Sequence, residues 1–181
     1  MKLVELLKEI STQSYDYGCA MVYFKFPELE DIHKLINKED TYTEDEDKSF
    51  GLEDEPHCTL LYGLHKEVSK QDVESVLDNY TFHTCKLTNP SLFENEKYDV
   101  LKFEVRGDNL NEINSDLKEF PHTTSYPDYN PHLTIGYLKP GTGQKYADKI
   151  KEIYDDIWLA PQFCVYSTPS GEKHKISIKI D

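Results

Sequence analysis

The chain carries one short pattern twice, as Pro56-His57-Cys58-Thr59-Leu60 and as Pro131-His132-Leu133-Thr134-Ile135. Each copy lies in an apolar run that predicts a β-strand. Because side chains two residues apart on a strand point to the same face, we expect His57 to project with Thr59, and His132 with Thr134. If the two strands are neighbours, two imidazoles and two hydroxyls converge. Such a set can move protons at a phosphodiester and donate hydrogen bonds to its oxygens.

The composition limits the kind of substrate. The 181 residues predict one domain, or one domain of two small lobes, with a substantial core. Long RNA or DNA draws much of its binding affinity from Lys and Arg, but this chain has a net charge of −14 and a single arginine, Arg106. We therefore expect a small nucleotide as the substrate. Acidity that only maintains solubility is the alternative interpretation.

The cysteines and the N-terminal residues predict a cytoplasmic protein. Cys19, Cys58, Cys85 and Cys164 show no close paired spacing, which favours reduced thiols over a disulfide framework or a zinc site. Residues 1–10 alternate charges with leucines at helical spacing and lack the apolar core of a signal peptide or a membrane span. We expect a short amphipathic helix there, with no membrane partner and no obligatory protein partner.

The apolar periodicity predicts alternating strands and helices. Besides the two motif strands, strands are expected at 18–26, 81–87, 97–106, 163–167 and 175–180, and helices at 28–37, 69–79, 109–120 and 142–154. A turn is expected near Asn89-Pro90. Since each half of the chain contains strands, a helix and one motif strand, the pattern indicates an α+β fold of two lobes related by a pseudo-twofold axis.

A long break precedes the first motif. Residues 39–55 contain nine acidic residues against Lys48, so we expect a flexible acidic loop that serves as a lid. A solvated insertion without a role is the alternative. Gly136 lies two residues beyond Thr134 on the same strand face, where the lack of a side chain leaves room for a ligand.

The paired motifs resemble those of the 2H phosphoesterase superfamily. The resemblance implies a bilobal fold in which antiparallel sheets line a central cleft, with helices outside, and a hydrolase without a cofactor. Within the superfamily, the chain is most similar to the anti-CBASS phosphodiesterases of tailed phages, on its length, its acidic loop and the run from Pro131 to Tyr137. That similarity implies cleavage of the cyclic di- and trinucleotides that trigger bacterial anti-phage defence, in the host cytoplasm.

The residue chemistry fits a mechanism with two histidines. An imidazole titrates near pH 6.5, so one of His57 and His132 can act as a base while the other acts as an acid. The sequence leaves the two roles unassigned. Thr59 and Thr134 are expected to donate hydrogen bonds to the phosphate oxygens.

We expect aromatic side chains to bind the substrate. Tyr23 and Tyr166 lie on strands that should flank the cleft, and there they can stack on nucleobases. Packing in the core is the alternative for each.

Several other functions remain open on sequence alone. Another 2H activity would hydrolyse 2′-5′ oligoadenylate or the terminal 2′,3′-cyclic phosphates of RNA. A protein that only sequesters a cyclic nucleotide would need neither histidine as a proton carrier. A metal held by the two histidines and nearby carboxylates is a further alternative, although threonine is a poor metal ligand and no second His or Cys lies at ligand spacing.

Overall fold

A computed structural model describes residues 15–181, so the helix predicted for residues 1–10 lies outside the described part. The strands are β1 (Gly18–Lys25), β2 (His57–Leu64), β3 (Thr81–Phe82), β4 (Cys85–Glu94), β5 (Asp99–Arg106), β6 (His132–Leu138), β7 (Ile157–Ser167), β8 (Lys173–Ile176) and β9 (Lys179–Ile180). The helices are α1 (Leu29–Lys34), α2 (Lys70–Leu77), α3 (Leu110–Leu117) and α4 (Gln144–Ile153), with one 3-10 turn at Lys38–Asp40. No helix within residues 15–181 is long and apolar enough to cross a membrane.

Seven strands form one sheet in the order β1-β2-β6-β5-β4-β7-β8, and every pairing in it is antiparallel. The long strand β7 pairs with β4 near its start and with β1 over the rest of its length, so six strands form a closed cycle. A small parallel sheet joins β3 to β9. The prediction of a mixed α+β fold with antiparallel strands is confirmed.

The main core lies between the helices and one face of the large sheet. Leu60 and Leu133, which alternate with the motif residues, are fully buried there with apolar side chains from all four helices. Asn114 of α3 ties its helix to β2 by donating from Nδ2 to the carbonyl of Leu60, at 2.6 Å. A ring of six strands has no room for helices inside it. The helix-covered face is therefore the outer one, and the opposite face lines the inside.

Helix α2 begins where its sequence predicts. The Ser69 hydroxyl accepts from the Asp72 backbone N–H at 3.1 Å, and the Asp72 carboxylate accepts from the Ser69 N–H at 2.9 Å. This capping box satisfies two backbone donors that no helical carbonyl can reach. Val73, Val76 and Leu77 then face the core at helical spacing.

The two motif strands meet along a short seam. Strands β2 and β6 share only one register pair, Cys58 with Leu133. Beside this pair, the Tyr129 hydroxyl donates to the carbonyl of Thr59 at 2.8 Å, so a side chain supplies a hydrogen bond that a full ladder would have supplied. The seam therefore joins two halves of the sheet, β8-β7-β1-β2 and β6-β5-β4.

The acidic segment runs along β6. The Tyr42 N–H donates to the Tyr137 carbonyl at 2.9 Å, and the Tyr137 N–H donates to the Gly51 carbonyl at 2.8 Å. The expectation of open space at Gly136 is wrong, because a Cβ there would lie 2.8 Å from Cδ2 of Leu52. The segment itself fills that space. Its flexibility and its role as a lid stay predictions.

Three other predictions need correction. Asn89 and Pro90 lie inside β4 instead of at a turn: Asn89 has a φ of 49°, and the register with β5 shifts between Thr88 and Ser91. A bulge of this kind lets a strand continue past residues that otherwise favour chain reversal. The strand expected at 163–167 begins earlier, at Ile157, and the closing strand is divided into β8 and β9.

Candidate active site

Strand alternation brings the four motif side chains to one face of the sheet, which we call the motif face. Their neighbours Cys58 and Leu133 are fully buried on the opposite face, whereas His57, Thr59, His132 and Thr134 are all half-buried. Because β2 and β6 are antiparallel and paired at Cys58 and Leu133, each histidine lies across the seam from the threonine of the other motif. The structure thus brings all four predicted residues together.

Both imidazoles are oriented by the same backbone contact. The Nδ1–H of His57 donates to the carbonyl of Glu55 at 2.8 Å, and the Nδ1–H of His132 donates to the carbonyl of Asn130 at 3.0 Å. A carbonyl only accepts, so Nδ1 carries the proton in the neutral ring. Nε2, on the other side of each ring, is then the nitrogen that can accept or deliver a proton.

The proline before each histidine explains this contact. Proline fixes φ and favours extended backbone in the residue before it, so the carbonyl two residues before the histidine can face the ring. His122 follows Pro121 and shows the same geometry: its Nδ1–H donates to the carbonyl of Phe120 at 2.8 Å. The orientation is thus a local property of the Pro-His pair.

The surroundings of His132 favour its neutral form. Burial lowers the pKa of His132, and the nearby positive charges of Lys102 and His57 lower it further, against the opposing effect of the hydrogen bond to Asn130. A neutral imidazole with a free Nε2 is suited to accept a proton. These surroundings suit His132 for the role of base, which the sequence left unassigned.

Lys102 places a cation beside His132. It pairs in register with Thr134 and is only 8 % exposed, and burial lowers its pKa. Its Nζ donates to Oγ of Ser91 at 2.8 Å and lies 4.4 Å from the centroid of the Phe93 ring, which contacts the His132 ring at 5.0 Å. Within residues 15–181, no carboxylate oxygen lies within 4.0 Å of this Nζ. Such a desolvated cation is suited to meet an anion from the substrate.

Lys102 was not among the predicted site residues. In the sequence it is one of three basic residues on a probable strand, with Lys97 and Arg106. Alternation along this strand does not show whether Lys102 faces the site or the core, because the sequence does not identify the neighbouring strand. The register with β6 is the signal that identifies Lys102, and that register exists only in the folded chain.

Tyr23 supports the ring of His57. It pairs with His57 and so lies on the motif face, but it is only 3 % exposed. One side of its ring stacks on His57, with centroids 5.1 Å apart, and it also stacks on Phe163 at 5.3 Å. The ring is thus occupied by two protein partners instead of being open to a nucleobase. Stacking of this kind holds the imidazole in one orientation.

The assignment of Tyr166 to substrate binding is wrong. Tyr166 is fully buried in the main core, and its hydroxyl donates to the carbonyl of Val68 at 2.7 Å. It lies three residues after Phe163 on β7, and an odd separation on a strand reverses the face. Phe163, which pairs with Tyr23, lies on the motif face.

A thiol lies on the motif face near Thr59. It belongs to Cys19 of β1, two residues before Met21, which pairs with Thr59. Burial raises the pKa of Cys19 to about 11, although the nearby Lys173 and Thr59 both act in the opposite direction. All four cysteines are free thiols. Cys19 therefore stays protonated near neutral pH.

The described residues offer no metal centre. No group of three His, Cys, Asp or Glu side chains in that part of the chain could hold a metal ion. The two histidines therefore lack a third protein ligand there.

Comparisons with known proteins identify the fold. No protein-family model matches the chain, and neither does any curated protein. A solved structure, Kluyveromyces marxianus Usb1 with uridine monophosphate, matches with a TM-score of 0.60 and 10 % identity, over 93 % of this chain and 100 % of that one. A second structure, described only as a phosphoesterase, matches with a TM-score of 0.47 and 12 % identity, over 90 % of this chain and 96 % of that one. The chain therefore has the fold of the Usb1 structure, and the expected α+β fold with antiparallel strands is confirmed.

Proposed function

We propose that this protein is a metal-independent phosphodiesterase of the 2H type that cleaves the 3′-5′ bonds of cyclic di- and trinucleotides. One observation carries the proposal: two imidazoles, whose Nε2 atoms make no hydrogen bond to any residue in the described range 15–181, share the motif face with two threonine hydroxyls. The buried ammonium group of Lys102 adds a positive charge beside them. These groups suffice for acid-base catalysis at a phosphodiester.

In the first step, His132 acts as the base and His57 as the acid. Nε2 of neutral His132 takes the proton of the ribose 2′-hydroxyl, and the oxygen attacks the adjacent phosphorus. The bond from phosphorus to the 5′-oxygen breaks, and Nε2–H of protonated His57 delivers a proton to that oxygen. The products are a 2′,3′-cyclic phosphate and a free 5′-hydroxyl. The burial of His132 and the charge of Lys102 support this assignment of roles.

In the second step, water opens the 2′,3′-cyclic phosphate with the two roles exchanged. Neutral His57 takes a proton from water, and protonated His132 returns its proton to the departing ribose oxygen. Thr59, Thr134 and Lys102 stabilise the negative charge that grows on the non-bridging oxygens. Each positioned proton transfer typically contributes about 10²–10⁴-fold in rate.

The charge distribution supports a small substrate. A chain of net charge −14 repels a long polyanion, yet Lys102 supplies a local positive charge on the motif face. The structure of Usb1, which has the same fold, was solved with uridine monophosphate, which supports a nucleotide as the class of substrate. With the resemblance to anti-CBASS phosphodiesterases, this supports a role in removing the cyclic nucleotides of bacterial anti-phage defence.

The test is a turnover assay on purified protein in EDTA. Cyclic di- and trinucleotides, linear 2′-5′ oligoadenylate and a 2′,3′-cyclic mononucleotide are incubated separately, and the products are identified by mass spectrometry. We expect multiple-turnover linearisation of the cyclic substrates. His57→Ala and His132→Ala should abolish turnover. His122→Ala is the matched control, since it removes an imidazole with the same backbone contact from outside the two motifs.

Other outcomes would contradict the proposal in distinct ways. Cleavage of only the linear or the mononucleotide substrate would indicate an RNA-processing activity. Stoichiometric binding without turnover would indicate sequestration. Wild-type rates in both His57→Ala and His132→Ala would eliminate the two-histidine mechanism.

A further inference from the structure

Two lysines of β8 lie on the motif face, on the side of His57 that is away from Lys102. The ladder sets Thr59 beside Met21, Met21 beside Val165, and Val165 beside Lys175. Paired residues in a ladder point to the same face, so Lys175 faces the same way as Thr59. Lys173, two residues earlier on β8, shares that face.

The register places Lys173 in line with the β1 side of the motif face. Lys173 pairs with Ser167 of β7, and Ser167 pairs with Cys19 of β1, so the three residues share that face. Lys173 is half-buried, and burial lowers its pKa, although the nearby Cys19 acts in the opposite direction. Only β7 therefore separates Lys173 from the strand that pairs with β2.

Lys175 is arranged about His57 much as Lys102 is arranged about His132. Its Nζ lies 4.3 Å from the centroid of the Phe163 ring, which stacks on Tyr23, and Tyr23 stacks on His57. On one side, the ring of Phe93 lies between His132 and Lys102. On the other side, the rings of Tyr23 and Phe163 lie between His57 and Lys175. In the described part of the chain, no carboxylate oxygen lies within 4.0 Å of Nζ of Lys173 or Lys175.

Cations on both flanks of the histidines fit a substrate with more than one phosphate. A scissile phosphate between the histidines would use Lys102 and leave the β8 lysines for another anion. Since acidic residues outnumber basic ones by 34 to 20, two neighbouring lysines without carboxylate partners are a notable local charge. We propose that Lys173 and Lys175 form a second phosphate subsite, which holds a phosphodiester of the substrate that is not being cleaved. This inference rests on the proposed function and adds that the preferred substrates carry at least two phosphates.

The test compares substrates with two phosphates and with one. Lys173→Met and Lys175→Met keep much of the side-chain length and remove the charge. We expect each to lower kcat/KM for a cyclic dinucleotide by about 10- to 100-fold, the range for losing a hydrogen bond to a charged group. The loss for a 2′,3′-cyclic mononucleotide, which has one phosphate, should be at least tenfold smaller. Lys179→Met is the control, because Lys179 is exposed on β9 outside the large sheet.

The outcomes separate this inference from the proposed function. Equal losses on both substrates, or no loss on the dinucleotide, would overturn the second subsite while leaving the phosphodiesterase intact. If the wild-type protein cleaves neither substrate, the proposed function fails, and the subsite is then tested by calorimetric binding of the same two compounds. The subsite is supported if the dinucleotide binds more tightly than the mononucleotide and Lys173→Met abolishes that difference. It is refuted if the two compounds bind equally or if the variant keeps the difference. Thermal unfolding confirms that each variant is folded.

Discussion

Replacing Lys102 with methionine should raise the pKa of His132. The Nζ of Lys102 lies 4.4 Å from the Phe93 ring centroid, which lies 5.0 Å from that of His132, so the cation and the imidazole are at most about 9.4 Å apart. At that separation, Coulomb repulsion of the imidazolium is about 0.4 kcal/mol in a water-like dielectric and about 1.8 kcal/mol at an effective dielectric constant of about 20. Loss of the charge should therefore raise the pKa by roughly 0.3–1.3 units, since 1.36 kcal/mol is about one unit.

The assay is an NMR titration of the histidine ring resonances in the wild-type protein and in Lys102→Met. Lys97→Met is the charge-matched control, because Lys97 is exposed between β4 and β5. Since the base must be neutral, the acidic limb of the pH profile of kcat/KM should move to higher pH by the same amount as the pKa. An unchanged or lowered His132 pKa in Lys102→Met would refute the electrostatic role of this lysine.

The same variant should lose activity without losing stability. The ammonium of Lys102 is desolvated and has no carboxylate partner among residues 15–181. A methionine there removes the free-energy cost of burying an unpaired charge. We expect kcat/KM to fall by about 10- to 100-fold, as for a lost charged hydrogen bond, while the Tm stays equal or rises. A Tm that falls in parallel with activity would show that the lysine is mainly structural.

Three further substitutions test the supports of the site. Tyr23→Leu should lower kcat more than it changes KM, because the imidazole loses its stacking partner; Tyr23→Phe should restore the rate, and failure to do so would refute a positioning role. Tyr129→Phe should lower the free energy of unfolding by about 1 kcal/mol in urea titrations, since the Thr59 carbonyl loses a donor; an unchanged midpoint would contradict this. Gly63→Ala should cost roughly 2–4 kcal/mol, because φ is 126° and the added Cβ would lie 2.1 Å from a backbone oxygen. Gly141→Ala is its control, with positive φ and open space, and equal costs for the two glycines would refute the steric argument.

Local rules predicted the centre of the site. The two-residue period of a strand is a property of the backbone, so His57 and Thr59 share a face wherever the strand lies. The Pro-His pairs likewise orient their imidazoles through a contact within three residues, as His122 shows outside the motifs. The serine cap of α2 was equally readable, because a capping box spans only four residues.

Predictions that required knowing which face of a strand points to the site, or which element lies beside a segment, were less reliable. The prediction for Tyr166 rests only on the strand in which it lies, and the sequence does not show which face of that strand points to the site. Tyr166 is on the core face of β7. The charge of residues 39–55 suggested a segment surrounded by solvent, yet Gly51 and Tyr42 bond to β6 through their backbone, which net charge does not report. Asn89 favours a turn locally, but pairing on both sides of it keeps the chain extended as a bulge.

The sequence by itself determined that the histidine and the threonine of each motif share a face, because the two-residue period of a strand does not depend on the remaining chain. Only the tertiary structure decided their surroundings. The register between β5 and β6 brings Lys102 to His132, and the ladder from β2 to β8 brings Lys173 and Lys175 to the other flank. Those partners are far apart in sequence, and strand order and register arise from the packing of the whole core, which no local pattern encodes.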